Sequence, residues 1–228
     1  MLVLGLDTAT WVASVGVTRD EEPLAEESCR AASSHAEMLF PLIARVLARA
    51  EVSLAEVNGL GVSIGPGSFT GLRVALGTVK GFAYALGHKI VGVPTLDALA
   101  RTVTAWDGLI CPILDARKRE VYAALFRRDQ QGTLQKLTGD LVLAPQALLE
   151  RITAPCLFLG DGVEPYGELI QERCGPAARL LPFATHHPHA VIVARMAWER
   201  LSRGEHDDLT TLVPCYVRSP EAELKRRE

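Results

Sequence analysis

Three strand-patterned segments precede the first helical one, and this order limits the fold more than any other feature of the chain. Residues 2–10 (LVLGLDTAT) form a short apolar run ended by polar residues. WVASVGVTRD (11–20) and EPLAEESCR (22–30) carry strand-like patterns on either side of a charged turn at Arg19–Glu22. HAEMLFPLIARVLARA (35–50) is helical, with Ser33 and Ser34 as caps and Glu37 completing a capping box with Ser34. LAEVNGLGVSIG then holds a connection and a buried strand. TGLRVALGTVKGFAYALG is a helix closed by Gly87, HKIVGVP a strand and TLDALARTVTA a helix. GLICPILDARKREVYAALFRRD reads as strand, turn and strand, so a βββαβα order starts again. LFLGDGVEPYGELIQERCG (strand, glycine turn, helix) and a late amphipathic helix in HAVIVARMAWERLSRGE follow. No low-complexity linker interrupts the 228 residues, and the expectation is two lobes in close contact, 1–100 and a smaller 101–228. The last ten residues, SPEAELKRRE, are charged and expected to be solvated.

Composition excludes several functions. With 24 Lys+Arg against 27 Asp+Glu, the net charge of −3 lacks the basic excess of a chain that grips a phosphate backbone unaided. Five scattered cysteines (29, 111, 156, 174 and 215) contain no CxxC, which suggests neither a disulfide framework nor a zinc knuckle. MLVLGLDTAT has no basic leader and is broken at Asp7, and no apolar stretch is long enough to span a bilayer. A cytoplasmic location is expected.

The stretch Gly65-Pro66-Gly67-Ser68-Phe69-Thr70-Gly71-Leu72-Arg73 imitates a phosphate loop, but its spacing fails each known form. Leu72 and Arg73 follow Gly71 where a Walker loop needs Lys-Ser/Thr, and the glycines are spaced GxGxxxG rather than GxGxxG. Generic anion binding at the helix N-terminus is left as a minor option. Gly61-Val62-Ser63-Ile64-Gly65 satisfies GxSxG, yet Pro66 and Gly67 delay the helix and leave Ser63 inside a strand, so a nucleophile elbow is not expected. His186, His187 and His189 have no acidic or thiol residue at ligand-like spacing and are expected to form a polar surface turn. His35 lacks the second histidine of HExxH and is expected to serve helix entry.

The first helix carries two apolar stripes where one would cover a sheet: Leu39, Leu42, Ile43, Val46 and Ala50, and Ala36, Phe40, Ala44 and Leu47. The next carries Gly77 and Gly81 in its interior beside Val74, Thr78 and Ala85, although each glycine costs about 1 kcal/mol relative to alanine. Such glycines mark a close backbone approach, either by the other lobe or by a partner subunit.

LGLDTAT, SSHAEMLFPLI, SIGPGSFTGLRVALGTVKGFAYALG, VGVPTLDALA, LDARKREVYAALF and LGDG, in this order, make the chain resemble the bacterial TsaB (YeaZ) family over nearly its whole length. The resemblance implies an α/β, actin-like ATPase fold (sugar kinase, Hsp70, actin) of two βββαβα lobes, with the last helix packing back on the first. It implies a non-catalytic scaffold or activator that, with the catalytic relative TsaD and the ATPase TsaE, serves threonylcarbamoyl transfer to N6 of the adenosine beside the anticodon. The tRNAs concerned read codons beginning with A, and they are met through the complex. TsaC would supply the threonylcarbamoyl-adenylate.

The implied partner face comprises His35, Ala36, Phe40, Ala44, Leu47, Thr70, Val74, Thr78 and Gly81, and the sequence leaves open whether the isolated chain is a monomer or a homodimer through the same helices. Where the catalytic relative carries a metal-binding HxxxH, this chain has Pro94-Thr95-Leu96-Asp97-Ala98-Leu99. Asp7, Thr8, Asp115, Gly160 and Gly162 correspond to a nucleotide site that is vestigial, since Ala9 and Arg117 replace its glycines. No cofactor is expected on this chain, with ATP and metal left to the partners. The alternatives are an ATP-dependent phosphotransferase, a metallopeptidase and a stand-alone tRNA-binding protein.

Overall fold

The computed structural model describes residues 1–30 and 35–217, and within these bounds the βββαβα order occurs twice. In the first lobe β1 (Leu2–Asp7), β2 (Val12–Arg19) and β3 (Glu22–Arg30) form an antiparallel meander. α1 (His35–Arg49), β4 (Gly59–Gly65), α2 (Phe69–Leu86) and β5 (Lys89–Pro94) follow, giving a sheet ordered β3-β2-β1-β4-β5 with β1, β4 and β5 parallel. α3 (Thr95–Arg101) leads to the second lobe. There β6 (Leu109–Asp115), β7 (Val121–Ala123), β10 (Leu141–Leu143), β11 (Cys156–Leu159) and β12 (Ala178–Leu180) repeat the topology as β10-β7-β6-β11-β12. α4 (Pro145–Leu149) and α5 (Val163–Cys174) stand where α1 and α2 stand in the first lobe. A hairpin of β8 (Phe126–Arg128) and β9 (Leu134–Lys136) is inserted between β7 and β10.

The first sheet is covered on both faces, which explains why its central strands are continuously apolar rather than alternating. α1 and α2 close one face with Leu39, Leu42 and Val46 and with Ala75, Leu76 and Val79. α6 (Ala190–Ser202) crosses the other face and buries Val193, Ala194, Ala197 and Leu201 against Val3, Val91 and Val93. This helix lies unusually close: a Cβ added to Gly5 would sit 2.2 Å from the Ala190 carbonyl oxygen, and one at Gly61 2.9 Å from that of Val193. Beyond α6 the chain returns along the first lobe. The Asp207 N–H donates to the Ile90 carbonyl, the Asp207 carboxylate binds the Arg200 guanidinium at 2.8 Å, and the Cys215 N–H donates to the Ile64 carbonyl at 2.7 Å.

Several expectations change. α2 begins at Phe69, one residue before Thr70, because the Ser68 side chain accepts the Gly71 N–H at 3.2 Å and caps it. Gly87 closes it in the left-handed conformation, φ 74°. The packing of Gly77 and Gly81 between the lobes is overturned: a Cβ at either would meet nothing within 4 Å. Small elements between 134 and 155 were missed because three-residue strands carry no readable period. The capping box of Ser33 and Ser34 and the tail 219–228 lie outside the described residues, as does the side chain of His35.

Candidate functional site

Asp7 ends β1 at the junction of the lobes, fully buried. Its Oδ1 accepts the Ala9 N–H at 3.0 Å, while neither its Oδ2 nor the equally buried Ser63 hydroxyl has a hydrogen-bond partner of ordinary geometry. Burial raises the Asp7 pKa to about 6 against the smaller opposing pull of Ser63 and the Ala9 N–H. Across the junction Asp161, in the turn after β11, is likewise raised to about 6 by burial, against the N–H of Asp115 that it accepts at 3.0 Å. Asp161 stands between the two glycines of the quoted LGDG, and its burial opposite Asp7 was not legible in that motif. Its glycine neighbours are structural necessities: a Cβ at Gly160 would meet the Ile113 carbonyl oxygen at 2.2 Å, and Gly162 donates its N–H to that same oxygen.

The glycine loop is committed to its own lobe. The Ser68 N–H donates to the Ala9 carbonyl at 2.6 Å, the Thr8 hydroxyl donates to the Gly71 carbonyl at 2.7 Å, and a Cβ at Gly71 would lie 1.9 Å from the Thr8 carbonyl oxygen. Two N–H groups that could greet an anion, those of Ser68 and Gly71, are already taken, the second by the Ser68 side chain. Ala9 is buried against this loop. Asp115 meanwhile holds a basic turn: its Oδ1 accepts the Arg117 N–H and its Oδ2 the Arg117 guanidinium. Arg117, Lys118 and Arg119 all take positive φ, 60°, 53° and 61°, which L-residues adopt only under constraint. The Arg117 side chain points largely to water.

The histidine run is not the surface turn expected of it. His187 is buried and its ring stacks on His189 at 4.4 Å, and His189 Nδ1 lies 2.9 Å from Glu26 Oε2 on β3. Glu26 also accepts the Val191 N–H, and Ser14 the Ala190 N–H, so β2 and β3 together cap α6. The hydrogen bond to Glu26 raises the His189 pKa, and burial lowers that of His187. Glu26 is 163 positions away from His189 and no local spacing could reveal it. Among the described residues no group of three or more His, Cys, Asp and Glu stands in a metal-holding array.

The outer face of α1 and α2 is a second candidate surface. Leu39, Leu42, Ile43 and Val46 point into the core, whereas Ala36, Phe40 and Ala44 are exposed and Leu47 is half-buried. On α2, Thr70, Gly77 and Gly81 are exposed and Val74 and Thr78 half-buried. Phe40 stacks edge-on with Phe82 at 6.0 Å yet keeps 56% of its surface exposed, and Tyr84 keeps 85%. At the start of α2 the Arg73 guanidinium lies over Phe69 at 3.7 Å, and its Nε donates to the Tyr216 hydroxyl at 2.9 Å. The structure thus separates the named residues into two groups: Asp7, Thr8, Asp115, Gly160 and Gly162 at the lobe junction, and the helix-face residues on the outside.

The duplicated topology places the chain among proteins of the actin-like ATPase fold. A hexokinase of the ROK family from Thermus thermophilus, 14% identical, superposes with a TM-score of 0.51 over 89% of this chain and 100% of its own. The family model for TsaD, tRNA N6-adenosine threonylcarbamoyltransferase, matches residues 29–226. The tRNA threonylcarbamoyladenosine biosynthesis protein TsaB of Escherichia coli is 31% identical over 75% of this chain and 76% of its own. TsaB of Bacillus subtilis is 29% identical over 99% and 97%. The solved structure of YeaZ from Pseudomonas aeruginosa superposes with a TM-score of 0.78 at 29% identity, covering 95% and 99% of the two chains. The chain belongs to the TsaB (YeaZ) family.

Proposed function

We propose that this chain is the non-catalytic scaffold or activator of tRNA threonylcarbamoyladenosine synthesis, binding a TsaD-type catalytic subunit through the outer face of α1 and α2. The observation that carries this reading is that exposed face: Phe40 and Tyr84 stand out to solvent and two glycines leave the α2 backbone uncovered. A helix that accepts the cost of Gly77 and Gly81 without using them against its own chain is fitted for a close approach by another backbone. The names of the curated relatives supply the pathway, and the lobe junction supports a subunit that performs no transfer itself. There the glycine loop is engaged with Thr8 and Ala9, and the Ser68 and Gly71 N–H groups that could receive a phosphate are already taken.

On this reading TsaE joins the pair and tRNA is met through the complex. ATP and metal reside on the partner subunits, and the protein works in the cytoplasm. Among the described residues no helix is long and apolar enough to cross a membrane. A homodimer through the same helices is the alternative occupant of the face when no partner is present.

The test is tRNA threonylcarbamoylation reconstituted from TsaC, TsaD, TsaE, ATP, threonine and bicarbonate, with and without this protein and its Phe40→Glu and Val74→Glu variants. Dependence on the chain, lost with subunit association in the variants while their folding is intact, supports the proposal. Full activity in its absence would reject it and favour a kinase or peptidase of the same fold, to be sought by ATP hydrolysis and peptidase assays.

A further inference from the structure

A polar cavity of about 470 Å³ lies where the β8–β9 hairpin of the second lobe faces α6 and the β2–β3 turn of the first. Asp7 and the β2–β3 turn stand at opposite ends of the β1–β2 pair, so this cavity is separate from the lobe junction described above. Its lining carries three arginines and three glutamates, of which one pair is joined. Arg101 binds Glu199 across the wall. The half-buried Arg128 guanidinium donates only to neutral carbonyls, those of Val103 and Gly132, and Arg195 donates through Nε to the Glu21 carbonyl. Neither arginine has a carboxylate within ion-pair distance among the described residues, and the carboxylates of Glu21, in the β2–β3 turn, and Glu22, at the start of β3, likewise have no cation there. Leu134 and Ile192 add an apolar patch to the same wall.

Half-buried guanidiniums satisfied only by dipoles retain their attraction for an anion, because a carbonyl offers a hydrogen bond without neutralising the charge. The unpaired carboxylates that line the same cavity retain theirs for a cation. We propose that this cavity binds a zwitterion, a free α-amino acid or a short peptide. Its carboxylate meets Arg195 and Arg128, its ammonium meets Glu22 and Glu21, and an aliphatic side chain lies against Leu134 and Ile192. A simple anion would meet the carboxylates of Glu21 and Glu22, and a simple amine the two arginines. Only a molecule bearing both charges meets favourable partners among both sets of lining groups. The volume exceeds what one small amino acid fills, which leaves room for bridging water or a second residue. This site is independent of the partner face on α1 and α2.

The experiment is an amide NMR titration of the full chain with glycine, L-alanine, L-leucine and diglycine, against acetate, ethylamine and inorganic phosphate as single-charge controls. Saturable shifts confined to residues 20–22, 128–134 and 192–199, with apparent Kd of about 1 mM or tighter for the zwitterions and at least about tenfold weaker for the controls, are expected. Arg195→Gln and Glu22→Gln should each weaken the zwitterions by about tenfold. Glu22 lies exposed at the very start of β3, so its variant decides the matter should Arg195→Gln lose its fold. No saturable shift, equal binding of acetate or phosphate, or undiminished binding by Glu22→Gln overturns the proposal.

Discussion

Three glycines on one helix give α2 opposite responses to the same substitution. At Gly77 and Gly81 an added methyl meets nothing within 4 Å, so alanine removes only the backbone entropy cost of a helical glycine, about 1 kcal/mol at each. For a chain of this length the double variant Gly77→Ala/Gly81→Ala should melt about 4–8 °C higher than its parent. At Gly71, one and a half turns earlier, the methyl would sit 1.9 Å from the Thr8 carbonyl oxygen. Accommodation requires that α2 move away and loosen the 2.7 Å bond from the Thr8 hydroxyl to the Gly71 carbonyl. Gly71→Ala should therefore cost about 3 kcal/mol or more, with a correspondingly lower melting point. Scanning calorimetry of the three proteins reads this directly. The same double variant, better folded, should bind a TsaD-type partner at least about tenfold more weakly by isothermal titration, since a methyl at a close backbone contact overpacks it. Stabilisation with undiminished affinity would refute the role of these glycines in partner docking. A destabilised double variant would refute the openness of the helix itself.

The remaining predictions concern the lobe junction and the α6 contact. Asp7 titrates near 6 in the folded chain against 3.8 unfolded. Its contribution to stability is thus present below about pH 4 and lost as the pH rises through 6, amounting to about 3 kcal/mol for so buried a group. Asp7→Asn, which keeps the acceptor for the Ala9 N–H, should stabilise the chain at pH 8 and change it little at pH 4. Urea unfolding at the two pH values measures this, and a variant weaker than its parent at pH 8 contradicts it. His189, raised by Glu26, acts in the same direction, its stabilisation being lost as the pH rises through its folded pKa. Glu26→Gln should accordingly abolish that component in the pH dependence of unfolding and loosen the N-terminal turn of α6, seen as faster amide exchange at Ala190 and Val191. Gly5→Ala should displace α6 from the sheet, costing about 3 kcal/mol or more, because its methyl meets a helix carbonyl at 2.2 Å rather than a flexible side chain. A melting point unchanged in Gly5→Ala would show that α6 yields freely.

Much of the fold was legible because its signals are local. The apolar runs of β1, β4 and β6, the stripe of Leu39, Leu42, Ile43 and Val46 on α1, and Ser68 and Gly87 at the ends of α2 depend on neighbours a few residues apart. The second stripe of α1 could be seen as a surplus, but whether Phe40 was covered by the other lobe required coordinates. So did the surroundings of Gly77 and Gly81, since a glycine pattern marks an available backbone without saying what approaches it. At the lobe junction, Asp7 and Asp115 were readable from their short motifs, whereas the pairing of Asp115 with Asp161 joins residues 46 positions apart. The histidine run misled for the same reason: the absence of a nearby carboxylate in sequence did not exclude Glu26, delivered by a strand 163 positions away.

By itself, then, the sequence determined the order of elements, the duplicated α/β architecture and the family, because periodicity, caps and turn glycines are short-range properties of the chain. Only the tertiary structure decided which apolar face stays open, which of three helical glycines is crowded and which carboxylates lose water. Those outcomes depend on distances between segments remote in sequence, and burial and electrostatics follow distance in space.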